Sequence, residues 1–111
     1  MTLEAMDIIL KLWQADEPFE FNGDYWNVTL KEKIPELALG EMLKPYQRPH
    51  PPIAMSIVRE KSMAAKTGGE RGFIPISINL APSHKVKTQW DTYSEGATGA
   101  GHSADRSNWR I

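Results

Sequence analysis

The sequence predicts an α/β fold built around one parallel β-α-β unit. Three observations carry the expectation. Residues 53–58 and 73–78 are short apolar runs, suited to strands buried on both faces. Between them, residues 60–67 can form a helix, with Gly68 and Gly69 placed to end it in the C′ role. A proline-stiffened lead-in, Gln47-Arg48-Pro49-His50-Pro51-Pro52, precedes the first strand.

Composition narrows the class. The chain has 111 residues, enough for one small domain at most. Hydrophobic content of 41% and charged content of 24% are ordinary for a globular protein. The net charge is −1, so no field favours nucleic acid or an anionic membrane, and neither partner is expected. The basic residues between Arg48 and Arg71 are interleaved with acids and form no stripe. Cysteine is absent, which excludes disulfides, thiolate metal sites and cysteine nucleophiles. No apolar run approaches the roughly 20 residues of a membrane helix. No secretory signal pattern opens the chain, so a cytoplasmic location is expected. Asn27-Val28-Thr29 matches a glycosylation sequon that would be idle there.

Residues 3–14 read as an amphipathic helix, with Leu3, Met6, Leu10 and Trp13 at helical spacing and Ile9 beside them. Thr2 is the expected N-cap, and Glu4 and Asp7 suit the first turns by the dipole argument. Asp16-Glu17-Pro18 stops the helix. Phe19-Glu20-Phe21 alternates, Asn22-Gly23 signals a type I′ turn, and residues 25–28 can pair back as a small hairpin. Its aromatics, Phe19, Phe21, Tyr25 and Trp26, are expected to cap a core. Residues 29–52, broken by Pro35, Gly40, Pro45 and Pro49, read as one long irregular connection. Pro49-His50-Pro51-Pro52 also fits a PxxP ligand, though a stiff approach to the strand is the stronger reading. Ser83 can cap a last helix with apolar positions Val86, Trp90, Tyr93 and Ala97, ended by Gly99 and Gly101. Trp109-Arg110-Ile111 reads as a third strand beginning.

A parallel unit needs cover on both faces, and these helices supply only part of it. The expectation is a segment of a larger barrel or doubly wound protein, cut at both ends. Its open parallel edges would invite self-association.

Five stretches in this order resemble the luciferase-like flavin-dependent monooxygenases, the group of the bacterial luciferases, alkanesulfonate monooxygenases and many terpenoid-type monooxygenases. They are Ile8-Ile9-Leu10-Lys11-Leu12-Trp13 with Glu17-Pro18-Phe19, then Phe21-Asn22-Gly23-Asp24-Tyr25-Trp26, then Lys44-Pro45-Tyr46-Gln47-Arg48-Pro49-His50-Pro51-Pro52-Ile53. Ala65-Lys66 through Gly69-Glu70-Arg71-Gly72-Phe73-Ile74-Pro75 and Asp105-Arg106-Ser107-Asn108-Trp109-Arg110-Ile111 complete the set. The resemblance implies a fragment of a (β/α)8 TIM barrel, a fold that takes about 250 residues. Residues 1–111 would be a single partial domain from its later middle, with residues 19–52 an inserted β-hairpin and long loop. The family uses reduced FMN, supplied by a flavin reductase, to insert one oxygen atom from O2 into a small organic substrate; some relatives use F420 instead. The isolated chain would then be inactive. Two alternatives are a non-catalytic interaction or assembly module derived from such a barrel, and one half of a split enzyme.

The same resemblance points to a phosphate site. Ser56 ends the first strand, on the face where barrel enzymes keep their sites, and matches a family serine there. Ser62 lies at the start of the next helix, whose free amides and dipole attract an anion. Arg59 between them can fork two hydrogen bonds to a phosphate. Ser56, Arg59 and Ser62 are therefore the expected cofactor-binding residues. Arg59-Glu60 stands where the family often has a serine-proline pair, and Glu60 would repel a phosphate if it faced the site. Ser77 and Asn79 end the second strand and could face the site, though a polar strand end is more often a turn. His50, His84 and His102 lack metal-ligand spacing, and no nucleophile-elbow pattern occurs. The glycine-rich residues 96–101 follow a helix and read as a C-cap, not a dinucleotide loop. No catalytic residue and no metal ligand is assigned.

Overall fold

A computed structural model describes residues 1–111, which divide into two units, residues 1–51 and residues 52–111. The first unit opens with helix α1, Thr2–Gln14. Met1 takes the N-cap position without a side-chain bond, and Thr2 lies inside the helix, so the expected threonine cap does not form. Ile8 is the fully buried residue of α1, whereas Ile9 and Leu3 are exposed. The helix stops at Ala15, whose extended backbone leads into Asp16-Glu17-Pro18.

Strands β1, Phe19–Asn22, and β2, Asn27–Leu30, pair antiparallel with Asn22 opposite Asn27. The connection is therefore the four residues 23–26, not a two-residue type I′ turn. Glu4 explains the difference. Its carboxylate accepts from the amides of Asp24 (3.0 Å), Tyr25 (3.0 Å) and Trp26 (2.9 Å), gathering three consecutive donors around one anion. A Cβ at Gly23 would collide with this carboxylate, so glycine serves close approach here and not a positive φ. Phe19 and Phe21 are half-buried beneath the Lys11 ammonium, 4.6 and 5.9 Å from their ring centroids. Tyr25 and Trp26 stay exposed, so only the phenylalanines act as cover.

Beyond β2 the chain is irregular, as expected, apart from a 3-10 turn at Pro35–Leu37 and a bridge between Ile34 and Leu39. Lys44 straps this stretch to α1. Its Nζ donates to the carbonyls of Leu12 (3.1 Å) and Ala15, where the last turn of a helix leaves carbonyls free. His50 packs against Trp13 with ring centroids 6.4 Å apart.

In the second unit, strands β3, Ala54–Ile57, and β4, Ile74–Ser77, pair in parallel with Ser56 opposite Ile76. Helix α2, Met63–Glu70, joins them, and helix α3, Ser83–Gly99, follows β4. A third parallel position begins at Arg110, which bridges Ile76; Ser77 N–H donates to Arg110 at 2.8 Å and Arg110 N–H to Pro75 at 3.0 Å. This matches the strand expected at residues 109–111.

Two helix ends differ from expectation. Gly68 and Gly69 lie inside α2, and the left-handed residue after it is Gly72, with φ +69°. The reason is helix contact. A Cβ at Gly69 would strike the Tyr93 carbonyl of α3, and one at Gly96 would strike the Lys66 carbonyl of α2. The glycines let two backbones touch. Pro82, not Ser83, precedes α3, and no side chain caps that end.

Val86, Trp90, Tyr93 and Ala97 are buried as their spacing predicted. Ile57, Ala65, Trp90, Tyr93 and Ala97 form the core cluster, with Trp109 partly buried against it. Trp90 stacks on Tyr93 at 5.4 Å and on Trp109 at 5.1 Å. The Tyr93 hydroxyl donates to the Phe73 carbonyl at 2.9 Å, and burial pushes its pKa up. The strands are not buried on both faces. Ile57, Pro75 and Ser77 are covered, whereas Ala54, Ser56 and Ile76 on the opposite face are exposed. No helix is long and apolar enough to cross a membrane.

Two expectations follow for stability. Gly69→Ala and Gly96→Ala are expected to cost about 1–3 kcal/mol or more by overpacking. Gly99→Ala, with nothing near its Cβ, should be neutral or stabilise by up to about 1 kcal/mol in a urea titration. Glu4 has a lowered pKa: desolvation raises it, but the Trp26, Tyr25 and Asp24 amides and the N-terminal charge outweigh that. Its contribution is therefore present above the unfolded glutamate pKa and is lost as pH falls through the folded value. Amide resonances of residues 24–26 should shift with a midpoint below that of an ordinary glutamate, and Glu4→Gln should abolish the transition.

Candidate functional site

The strand-turn-helix segment from β3 to α2 carries all three sequence-predicted site residues. Alternation along β3 puts Ile57 into the core and leaves Ser56 on the bare face of the sheet. Arg59 is exposed in the turn and makes no ion pair. Lys61 adopts the left-handed region at φ 45°, uncommon for a residue with a side chain.

Ser62 is the N-cap of α2. Its Oγ accepts from the amides of Ala64 at 3.1 Å and Ala65 at 3.4 Å. Two of the amides expected to be open to an anion are thus already engaged. The hydroxyl proton remains free, so Ser62 can cap the helix and still donate outward.

Glu60 does not oppose an anion as the sequence alone suggested. Its carboxylate pairs with Lys85 of α3 at 2.9 Å, and this hydrogen bond, against a smaller desolvation effect, lowers its pKa. The turn is left with Arg59 and Lys61 as its uncompensated charges. The segment thus offers groups of the kind a phosphate accepts: one strand-end hydroxyl, one guanidinium without an ion pair and one helix-capping hydroxyl, with the nearby carboxylate paired to Lys85.

The other polar strand end serves packing. Ser77 is buried and its Oγ accepts from Trp109 Nε1 at 2.9 Å. Asn79 lines a cleft of about 490 Å³ with Val86, Trp90, Arg106 and Trp109. This cleft flanks the third strand position beside Arg110, so it is a groove of the sheet edge and lies away from the 58–62 turn.

Two features escaped the sequence reading. One is Lys61's backbone, which no residue-type signal marks. The other is Gln89 on α3, fully buried with neither side-chain polar atom bonded. A glutamine on an otherwise apolar helical stripe was its only signal.

No family model matches the chain. A search of curated proteins finds 3,6-diketocamphane 1,6-monooxygenase of Pseudomonas putida, 34% identical over 116 aligned residues that span the whole chain. Among solved structures, the oxygenating constituent of 3,6-diketocamphane monooxygenase from the CAM plasmid of Pseudomonas putida superposes with a TM-score of 0.78 at 33% identity. That protein is a type II Baeyer-Villiger monooxygenase in complex with FMN, and 96% of the present chain matches it. The chain is a partial member of the luciferase-like flavin-dependent monooxygenase family. It spans about 30% of the length of these relatives. A monooxygenase from Streptomyces bottropensis, at 20% identity and TM-score 0.67 over 90% of the chain, shares the fold.

Within this luciferase-like segment Ser62 has a structural role that can be measured separately from binding. Ser62→Ala is expected to cost about 1 kcal/mol through loss of the cap. Circular dichroism during urea unfolding checks this; an unchanged midpoint would show that the cap contributes nothing.

Proposed function

We propose that the chain is a later-middle segment of a (β/α)8 barrel monooxygenase, with residues 19–52 its inserted hairpin and loop. In this reading residues 1–111 form one partial domain of the parent enzyme. That enzyme inserts one oxygen atom from O2 into a small organic substrate, the kind of reaction its Pseudomonas putida relatives are named for. The observation that carries the reading is identity of about a third, over 96% of the chain, to a protein solved with FMN.

Ser56, Arg59 and Ser62 are assigned to the flavin phosphate. Arg59 would take two phosphate oxygens through its planar fork. Ser62 would donate its free hydroxyl proton while its oxygen keeps the helix cap. Ser56 would donate from the strand end, and the positive end of α2 would favour the anion. Reduced flavin, when bound, supplies the oxygen activation and is delivered by a flavin reductase; F420 is the alternative cofactor. The chain's own residues bind and orient; none is assigned to proton transfer. The isolated chain is expected to turn over no substrate.

A second reading rests on the bare sheet face and the open β3 edge, which suit pairing with other barrel strands on a separate polypeptide. Co-purification of a second barrel fragment is the expected outcome, and a chain that carries none with it would sink that reading.

The phosphate assignment is tested by titrating the chain with FMN and with riboflavin and following flavin fluorescence. FMN is expected to bind with saturation and more tightly than riboflavin. Arg59→Ala should weaken FMN by roughly 1.5–3 kcal/mol, the worth of a hydrogen bond to a charged group, and leave riboflavin unchanged. Equal affinity for the two flavins, or an indifferent Arg59→Ala, would remove the phosphate from this turn.

A further inference from the structure

Gln89 is 1% exposed, and its Nε2 and Oε1 both lack a partner. Burying a carboxamide without hydrogen bonds is unfavourable, and an apolar side chain of similar volume would fill the same space without that penalty. A partner supplied in another state of the protein would remove that penalty.

Its position says where that partner comes from. Lys85, one helical turn before Gln89, reaches Glu60 in the turn at 2.9 Å. Thr88 and Thr92 share a cleft with Lys61. Ile57, the last residue of β3, lies in the same core as Trp90, the residue after Gln89. Lys85, Thr88 and Thr92, the α3 neighbours of Gln89, therefore lie toward the 58–62 turn, and Gln89 is buried on the same stretch of helix. Glu60 is paired with Lys85 and Asp91 with Lys87, while Arg59 and Lys61 keep no ion pair and the Gln89 carboxamide no hydrogen bond.

We propose that Gln89 is a positioning residue for an anion site at the 58–62 turn, its carboxamide taking up hydrogen bonds to the turn backbone when a phosphate-bearing ligand is seated there. The proposal rests on the phosphate reading of that turn given above. Ligand-free, the carboxamide is stored without partners. With the anion bound, the turn settles onto it, and the amides around Arg59 and Lys61 are held toward the phosphate. Gln89 acts through the backbone and does not touch the ligand.

Hydrogen exchange tests this on the wild-type chain and on Gln89→Met, each alone, with FMN and with riboflavin. In the wild type, FMN is expected to slow exchange at residues 58–62 by about tenfold or more, reporting local closure. Gln89→Met should fold with an equal or higher unfolding midpoint, bind riboflavin as before, and lose the FMN-dependent slowing. Equal slowing in wild type and variant would overturn the role of Gln89 and leave the phosphate site standing. No slowing in the wild type would overturn both. Gln89→Leu, judged by the same criterion, covers the case in which methionine perturbs the helix.

Discussion

The backbone contact between α2 and α3 is the constraint from which the second unit is built. Two glycines, one on each helix, let main chains meet where any side chain would hold them apart. With that separation set, Tyr93 reaches across to the Phe73 carbonyl and ties α3 to the start of β4. Trp90 then lies flat between Tyr93 and Trp109, and Trp109 hydrogen-bonds Ser77 at the end of β4. Each large side chain buried along this path contributes roughly 1.5–3 kcal/mol. The third strand position is thus located by a chain of contacts that starts with two missing Cβ atoms.

The same helix pair organises the turn after β3. The Glu60–Lys85 ion pair is about half exposed, so its own contribution to stability is small. Its consequence is directional. It draws the acidic side chain to α3 and leaves the guanidinium of Arg59 without competition. A turn with two basic residues and one acid thus has its acid drawn away to α3.

Much of the architecture was readable from residue order. The α3 stripe of Val86, Trp90, Tyr93 and Ala97, the hairpin, and the strand beginning near Trp109 all follow from local periodicity, which acts over a few residues. What escaped depends on partners far away in sequence. Glycine announces a permissive backbone but not what approaches it, so Gly23, Gly69 and Gly96 read as turn or cap residues although each serves a close contact. The loop at residues 23–26 is shaped by a carboxylate about 20 positions earlier, beyond the reach of any turn rule. At the candidate site, Ser62 was legible as lying near the N-terminus of a helix expected over residues 60–67; that the helix begins at Met63, with the Ser62 oxygen engaged by two amides, was not. Gln89 was silent because a single polar residue on an apolar stripe carries no statement about its partners.

The two-residue period of a strand assigns opposite duties to neighbouring positions of β3 and β4. Odd-numbered residues, from Met55 and Ile57 to Pro75 and Ser77, lie on the side of the helices. Even-numbered residues, Ala54, Ser56, Ile74 and Ile76, lie on the other side and hold no helix in place. Selection for folding and selection for recognition therefore act on different letters of the same short words. Even positions can drift toward a new ligand while the odd ones stay fixed, so a segment of this kind can change what it binds without relearning how to fold.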